Sequence, residues 1–206
     1  YEGGFAQLEY NKDKVSAFVS GGLTNTSYWR KDRFYYSGDK QLSSKKHYLG
    51  GNVKAGLNYN LDDYNNVFFN TGFISRANTF INSQSSHERN PDAKNEKVYS
   101  FELGYGYRSQ YFSANVNAYY TMWKDKALYD TGSYEDVNGA SQRWTMNMTG
   151  AQANHMGIEL DFIAKPFRWM EVNGMFSWGD WRWNGTAKGF MMNTEGQIMA
   201  NSRGEG

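Results

Sequence analysis

KVYSFELGYGYRSQYFSANVNAYYTMW, Lys97 to Trp123, alternates between apolar and polar residues through both of its halves. Neighbouring side chains on a strand point to opposite faces. Tyr99, Phe101, Leu103, Tyr105 and Tyr107 therefore share one face, and Ser100, Glu102, Gly104, Gly106 and Arg108 share the other. In the second half Phe112, Ala114, Val116, Ala118, Tyr120 and Met122 lie together, opposite Ser113, Asn115, Asn117, Tyr119, Thr121 and Trp123. The pattern predicts a β-hairpin. A short loop at Ser109-Gln110 pairs Tyr107 with Phe112, Tyr105 with Ala114, Leu103 with Val116 and Tyr99 with Tyr120, with all apolar residues on one side.

That apolar face has aromatic rings at both ends, Tyr107 and Phe112 beside the turn and Tyr99 and Tyr120 far from it, with Leu103, Val116, Ala114 and Ala118 between. A membrane-spanning strand pair has this layout, because amphipathic rings prefer the headgroup level. The opposite face, with Glu102, Arg108, Asn115 and Asn117, would then look into a wet lumen. A soluble β-sandwich could bury the same apolar face in its core. The hairpin alone leaves both readings open.

Composition narrows the choice. The chain has 206 residues, 39% of them hydrophobic and 17% aromatic, with a mean hydropathy of −0.79. No apolar run approaches the roughly 20 residues of a transmembrane helix. A β-barrel remains compatible, since only every second strand residue must be apolar. With no cysteine, disulfides, thiolate chemistry and sulfur-ligated metals are excluded within this segment. A net charge of +1 gives no reason to expect a nucleic-acid partner. Only two prolines, Pro91 and Pro166, accompany 22 glycines, which favours extended sheet.

Further hairpins flank the first. Gly4, Ala6, Leu8 and Tyr10 lead through Asn11-Lys12-Asp13-Lys14 to Val15, Ala17, Val19, Gly21 and Leu23. A second runs through Leu49, Gly51, Val53, Ala55, Leu57, Tyr59 and Leu61, turns at residues 62–66, and returns through Val67, Phe69, Thr71 and Phe73. A last one has Met156, Ile158, Leu160, Phe162 and Ala164, a turn at residues 165–169, and Met170, Val172, Phe176 and Trp178. Polar stretches at 37–46, 82–96 and 124–142 read as loops, as does everything beyond Gly179. Connections thus alternate short and long, as in outer-membrane barrels with short periplasmic turns and long extracellular loops. The expected fold is all-β, an antiparallel meander of about eight strands forming part of a transmembrane β-barrel.

Two stretches resemble the TonB-dependent outer-membrane receptors. NPDAKNEKVYSFELGYGYRSQYFSANVNAYYTMWKDK, Asn90 to Lys126, is similar to that family's Asn-Pro, a Lys-Pro-Glu-Lys-like step, an acidic-Leu/Ile-Gly-Tyr strand, a short turn and a strand ending aromatic-x-Trp-Lys-Asp. Asn95 stands where the family usually has proline. GAQANHMGIELDF, Gly150 to Phe162, is similar to the family's approach to a Gly-Ile/Val-Glu strand. The resemblance implies that residues 1–206 form a partial, interior piece of the barrel domain, about eight of roughly 22 strands, with the plug domain and closing strand elsewhere. It implies a Gram-negative outer-membrane location, with membrane lipid and TonB as partners, TonB acting through the plug. It also implies import of a scarce nutrient: a siderophore, haem, cobalamin or an oligosaccharide.

Candidate chemistry is that of binding and gating. Trp29, Tyr35, Tyr36, Trp144, Trp181 and Trp183 lie at loop ends, where they can stack on a ligand or form an interfacial girdle. Lys54, Arg76, Glu102, Arg108, Asn115, Asn117, Glu159 and Asp161 take the phase of the lumen. Glu102, Glu159, Asp161 and Glu171 could be drawn as a catalytic pair, but a wet barrel interior is polar by necessity and its cations balance them. No nucleophile elbow, phosphate loop or zinc-helix motif is present, so an enzyme is not expected. His155 and Met156 are soft-metal ligand types, but they fall on opposite faces, and neither metal nor cofactor is expected. The rival readings are a soluble carbohydrate-binding module and an outer-membrane barrel of another class, such as a porin or surface enzyme.

Overall fold

Period-two alternation, unbroken by proline over long runs, lets backbone ladders extend. The computed structural model, which describes residues 1–34, 37–78, 94–193 and 198–205, has one antiparallel sheet. Its strands are β1 (Glu2–Lys12), β2 (Val15–Tyr28), β3 (Lys46–Asn60), β4 (Asn65–Arg76), β5 (Glu96–Arg108), β6 (Phe112–Glu135), β7 (Ser141–Phe167), β8 (Met170–Asn184), β9 (Thr186–Asn193) and β10 (Ile198–Glu205). Each strand pairs with the next in sequence, except that β8 and β9 lie end to end along β7. The meander is therefore nine strands wide, and the sheet is not closed.

In the β5–β6 hairpin the turn centres on Gln110-Tyr111, one residue beyond the expected position. The Ser109 amide donates to the Phe112 carbonyl at 2.7 Å, and the Phe112 amide donates to Ser109 Oγ at 3.2 Å. The serine hydroxyl closes the turn from within, a local bond that alternation alone does not reveal. Tyr107 consequently faces Ala114, Tyr105 faces Val116, Leu103 faces Ala118 and Tyr99 faces Met122. The register moves by two, an even shift, so every side chain keeps its face.

Two segments expected to be loops are strands. Residues 124–142 continue β6 and β7 into a ribbon whose tip is the turn around Asp136, and the chain beyond Gly179 completes β8 and forms β9 and β10. The alternation is lost there because bulges break its phase. Lys124 and Asp125 of β6 face only Gln152 of β7, and Ala127 then faces Thr149 and Gly150, so the two insertions compensate. On the next strand Gly185, Thr186 and Ala187 face Gly150 and Ala151. Asp125, Gly150 and Gly185 have φ of 55, 83 and 83°, the left-handed conformation that bulged strands adopt. The segment 37–45 carries only a 3-10 turn at Gly38–Gln41 and a bridge from Lys31 to Leu42. Of the expected loop at 82–96, residues 82–93 lie outside the described residues, and Glu96 already belongs to β5.

The apolar row settles which solvent the sheet is built for. Leu57, Leu103, Val116 and Ile158 are 49, 61, 41 and 45% exposed, and no second sheet covers them among the described residues. A sandwich would have buried them, so that reading fails. Val116→Arg should cost about 2–4 kcal/mol of folding into a bilayer, whereas Asn117→Arg, between two carboxylates on the other face, should be tolerated. Denaturant titration into lipid vesicles checks this; equal losses for the two variants contradict the assignment.

At the ribbon tip the Asp136 carboxylate accepts the Asn138 and Ala140 amides at 2.8 and 2.9 Å. These backbone bonds, Ala140 first, hold its pKa below the ordinary carboxylate value. A depressed folded pKa gives stability that is complete above the unfolded pKa and lost as pH falls through the folded one. Protection of the Asn138 and Ala140 amides, taken relative to their intrinsic exchange at each pH, should therefore fall on acidification below the ordinary carboxylate range. Asp136→Ala should exchange rapidly at neutral pH already.

Candidate functional site

The polar face carries a continuous ladder of amides and carboxylates. Asn70 Nδ2 on β4 donates to Glu102 Oε2 on β5 at 3.1 Å, and Asn117 Nδ2 on β6 donates to Glu102 Oε1 at 3.1 Å and to Glu159 Oε2 on β7 at 3.3 Å. One step nearer the short turns, Asn115 Nδ2 donates to Asp161 Oδ2 at 2.9 Å. Alternation places these residues on one face, and the antiparallel register places them side by side. Lys54 lines the same hollow of about 450 Å³ as Asn70, Glu102, Asn117 and Glu159. Arg108 sits apart at the short-turn end, lining a hollow with Asp62 and Asp63.

Aromatic residues on this face lean over glycines. The Phe68 ring covers the space where a side chain on Gly104 would stand, and those two residues are direct cross-strand partners. A Cβ at Gly104 would displace the ring, so the glycine is what lets a bulky side chain lie flat on the sheet.

Toward the long-connection end, an ion cluster and a ring cluster meet. Glu96, its side chain only 8% exposed, accepts from Arg76 Nη2 at 2.8 Å and from Lys126 Nζ at 3.1 Å. Both cations also sit over the Trp123 ring, at 5.7 and 4.4 Å from its centroid. Trp123 neighbours His155 at 6.5 Å between centroids, and His155 neighbours Trp181 at 6.1 Å. Trp181 Nε1 donates to the Tyr119 hydroxyl at 3.0 Å. The Trp123 indole N–H is buried without a hydrogen-bond partner among the described residues.

Of the loop-end aromatics, Trp181 and Trp183 pair with His155 and Ala153 on the polar face and are exposed. Trp144 belongs to the β6–β7 ribbon, where its ring lies against Gly132, and Trp29 is exposed just past the end of β2. Tyr35 and Tyr36 lie outside the described residues. No hydrogen bond or ring contact joins Trp29, Trp144 and Trp181 to one another among the described residues. Glu96, Trp123, Lys126 and Tyr119 were not singled out by sequence. Their signal, an acidic residue flanked by a cation on each neighbouring strand, exists only once the register is known. Asn95, the departure from the family pattern, donates to Leu49 O at 2.7 Å and Ser75 Oγ at 3.1 Å, stitching the approach to β5 onto β3 and β4.

Glu96→Gln leaves two cations facing a neutral amide. It should cost about 1–2 kcal/mol, the value for a charged hydrogen bond discounted because Arg76 and Lys126 are partly solvated. Arg76→Gln should cost less, since Lys126 still pairs the carboxylate. Denaturant midpoints of the two variants check the order.

The family model described as TonB dependent receptor-like, beta-barrel, matches residues 1–203. No curated protein and no solved structure matches the chain. A family match over nearly the whole length joins an open antiparallel meander with one exposed apolar face and one polar face, and on these grounds the chain belongs to the TonB-dependent receptor-like β-barrel family.

Proposed function

We propose that this chain is an interior part of the barrel of an outer-membrane receptor that imports a scarce nutrient, energised through TonB. At family level the chain is that of an outer-membrane receptor and transporter rather than an enzyme. The plug and the remaining strands needed to close a barrel of roughly 22 strands belong, in this reading, to the rest of the protein. The observation that carries the proposal is the polar face itself. Its aromatic step Trp123–His155–Trp181 adjoins the ladder of Asn70, Glu102, Asn117 and Glu159.

Flat rings stack on the apolar faces of sugar rings, and amide–carboxylate pairs exchange hydrogen bonds with hydroxyl groups. The ladder is acidic on balance: Glu102, Glu159 and Asp161 outnumber Lys54, which lines the same hollow as Glu102 and Glu159, and the nearby cations Arg76 and Lys126 are already bonded to Glu96. An anionic ferric chelate would meet Glu102, Glu159 and Asp161 at unfavourable cost, so among the expected nutrients a neutral oligosaccharide fits this surface best.

Trp181→Ala in the full-length receptor should weaken oligosaccharide binding about 10-fold, the loss of roughly one stacked ring. Calorimetry on the purified receptor and uptake by cells with and without TonB check this. Uptake that persists unchanged without TonB would sink the import reading. Unchanged affinity in the Trp181 variant would remove this face from the binding site.

A further inference from the structure

On the outer, apolar face, the exposed band stops at a rim of cations. Two residues beyond Tyr99 in the direction of the long connections, Lys97 of β5 stands directly opposite Lys124 of β6. A like-charge cross-strand pair is unfavourable unless something anionic lies between its members. Within the chain that role falls to Asp125, whose Oδ2 is 3.3 Å from Lys97 Nζ. Asp125 is the bulged residue of β6 and also lines a hollow of about 260 Å³ with Lys94, Gly150, Gln152, Thr186 and Lys188. Lys97 thus pairs with Asp125, Lys94 and Lys188 line the same hollow as that carboxylate, and Lys124 stands opposite Lys97, four lysines against one acid. On the inner face at the same level, Arg76 and Lys126 converge on the buried Glu96. The inner cluster sets two cations against one carboxylate and the outer rim four against one, so the larger excess of positive charge lies on the outer side.

What lies beneath the rim identifies its occupant. Lys124 Nζ is 5.7 Å from the centroid of the Tyr99 ring, which packs on Phe73 at 5.0 Å. Below these rings the exposed row of Phe101, Leu103 and Val116 begins. A molecule that places hydrocarbon on that row and an anionic head at the lysines is a lipid with a phosphorylated headgroup, lying in the outer leaflet. The bulges at Asp125, Gly150 and Gly185 shape the hollow by turning the strands just where the apolar band ends.

We propose that Lys94, Lys97, Lys124 and Lys188 form a binding site for the phosphate groups of an outer-leaflet lipid. Attraction of basic side chains to an anionic membrane surface is worth about a fivefold gain in affinity per lysine, and it weakens with salt. This inference rests on the membrane orientation argued above, and insertion is therefore scored separately.

The test uses the full-length receptor in phosphatidylcholine nanodiscs containing either a bis-phosphorylated glycolipid or its phosphate-free counterpart, with retained lipid counted by native mass spectrometry. The receptor should retain the phosphorylated lipid preferentially. Lys94→Gln/Lys124→Gln/Lys188→Gln should lose at least 10-fold of that preference, and Lys12→Gln, at the opposite end of the sheet, should lose none. Asp125→Asn, which tolerates the same left-handed backbone, should bind the phosphorylated lipid several-fold more tightly. That increase also decides the matter if the triple variant fails to fold. Equal retention of the two lipids, an unaltered triple variant, no gain in Asp125→Asn, or displacement by equimolar inorganic phosphate each overturns the proposal. A receptor that does not enter nanodiscs at all refutes the membrane orientation instead.

Discussion

Where a sheet turns one face to hydrocarbon, every backbone N–H and C=O must find its partner on a neighbouring strand, because no water is present to replace it. The rest of this structure follows from that demand. Between β2 and β3 the ladder runs without a register shift from Val15↔Tyr59 to Tyr28↔Lys46, and β4, β5 and β6 continue it. Bulges, which leave a residue unpaired, occur beyond the apolar band at Asp125, Gly150 and Gly185, next to a short turn at Lys165 and Pro166, and at Met199 on β10. At those levels water can satisfy what the ladder cannot.

The same demand divides the side chains. The outer face carries Leu57, Leu103, Val116 and Ile158 exposed, and little of the described chain is a core in the usual sense: Tyr48, Ala151, Ala153 and Met192 are its buried apolar residues. Stability must therefore come from the ladder and from the surrounding lipid more than from internal packing. On the inner face, charge is inexpensive because water reaches it, and side chains are ordered by hydrogen bonds between strands. Among the described residues the amide–carboxylate ladder spans four strands without a salt bridge, whereas the one buried carboxylate, Glu96, takes two cations. That difference tracks burial, since a desolvated charge needs compensation that a wet one does not.

Polar and apolar chemistry thus alternate along single strands. On β5, Glu102 belongs to the polar ladder while its neighbours Phe101 and Leu103 belong to the apolar row, and on β6 the pairs Val116 and Asn117 repeat the arrangement. Recognition on one face can consequently diverge without altering the other, provided that no strand slips by a single residue.

Face assignment was legible in the sequence because it depends only on parity. Tyr99 to Tyr107 and Phe112 to Met122 keep their sides whichever even register is chosen, and Lys54, Glu102, Asn115, Asn117, Glu159 and Asp161 fell on the polar face for the same reason. Parity says nothing of which partner stands opposite. The turn closed by the Ser109 hydroxyl sets Asn117 opposite Gly104, so that it reaches Glu102 on the diagonal, while the β6–β7 register sets it directly opposite Glu159. Nor does parity survive a bulge, which is why the strand residues 124–135, 141–142, 180–184, 186–193 and 198–205 read as loops. The convergence of Arg76, Glu96, Lys126, Trp123, His155 and Trp181 draws on five strands spread along the sequence. Local alternation sets the side each residue faces, but distances between strands are set by turn chemistry and bulges acting together, and these exist only in the folded sheet.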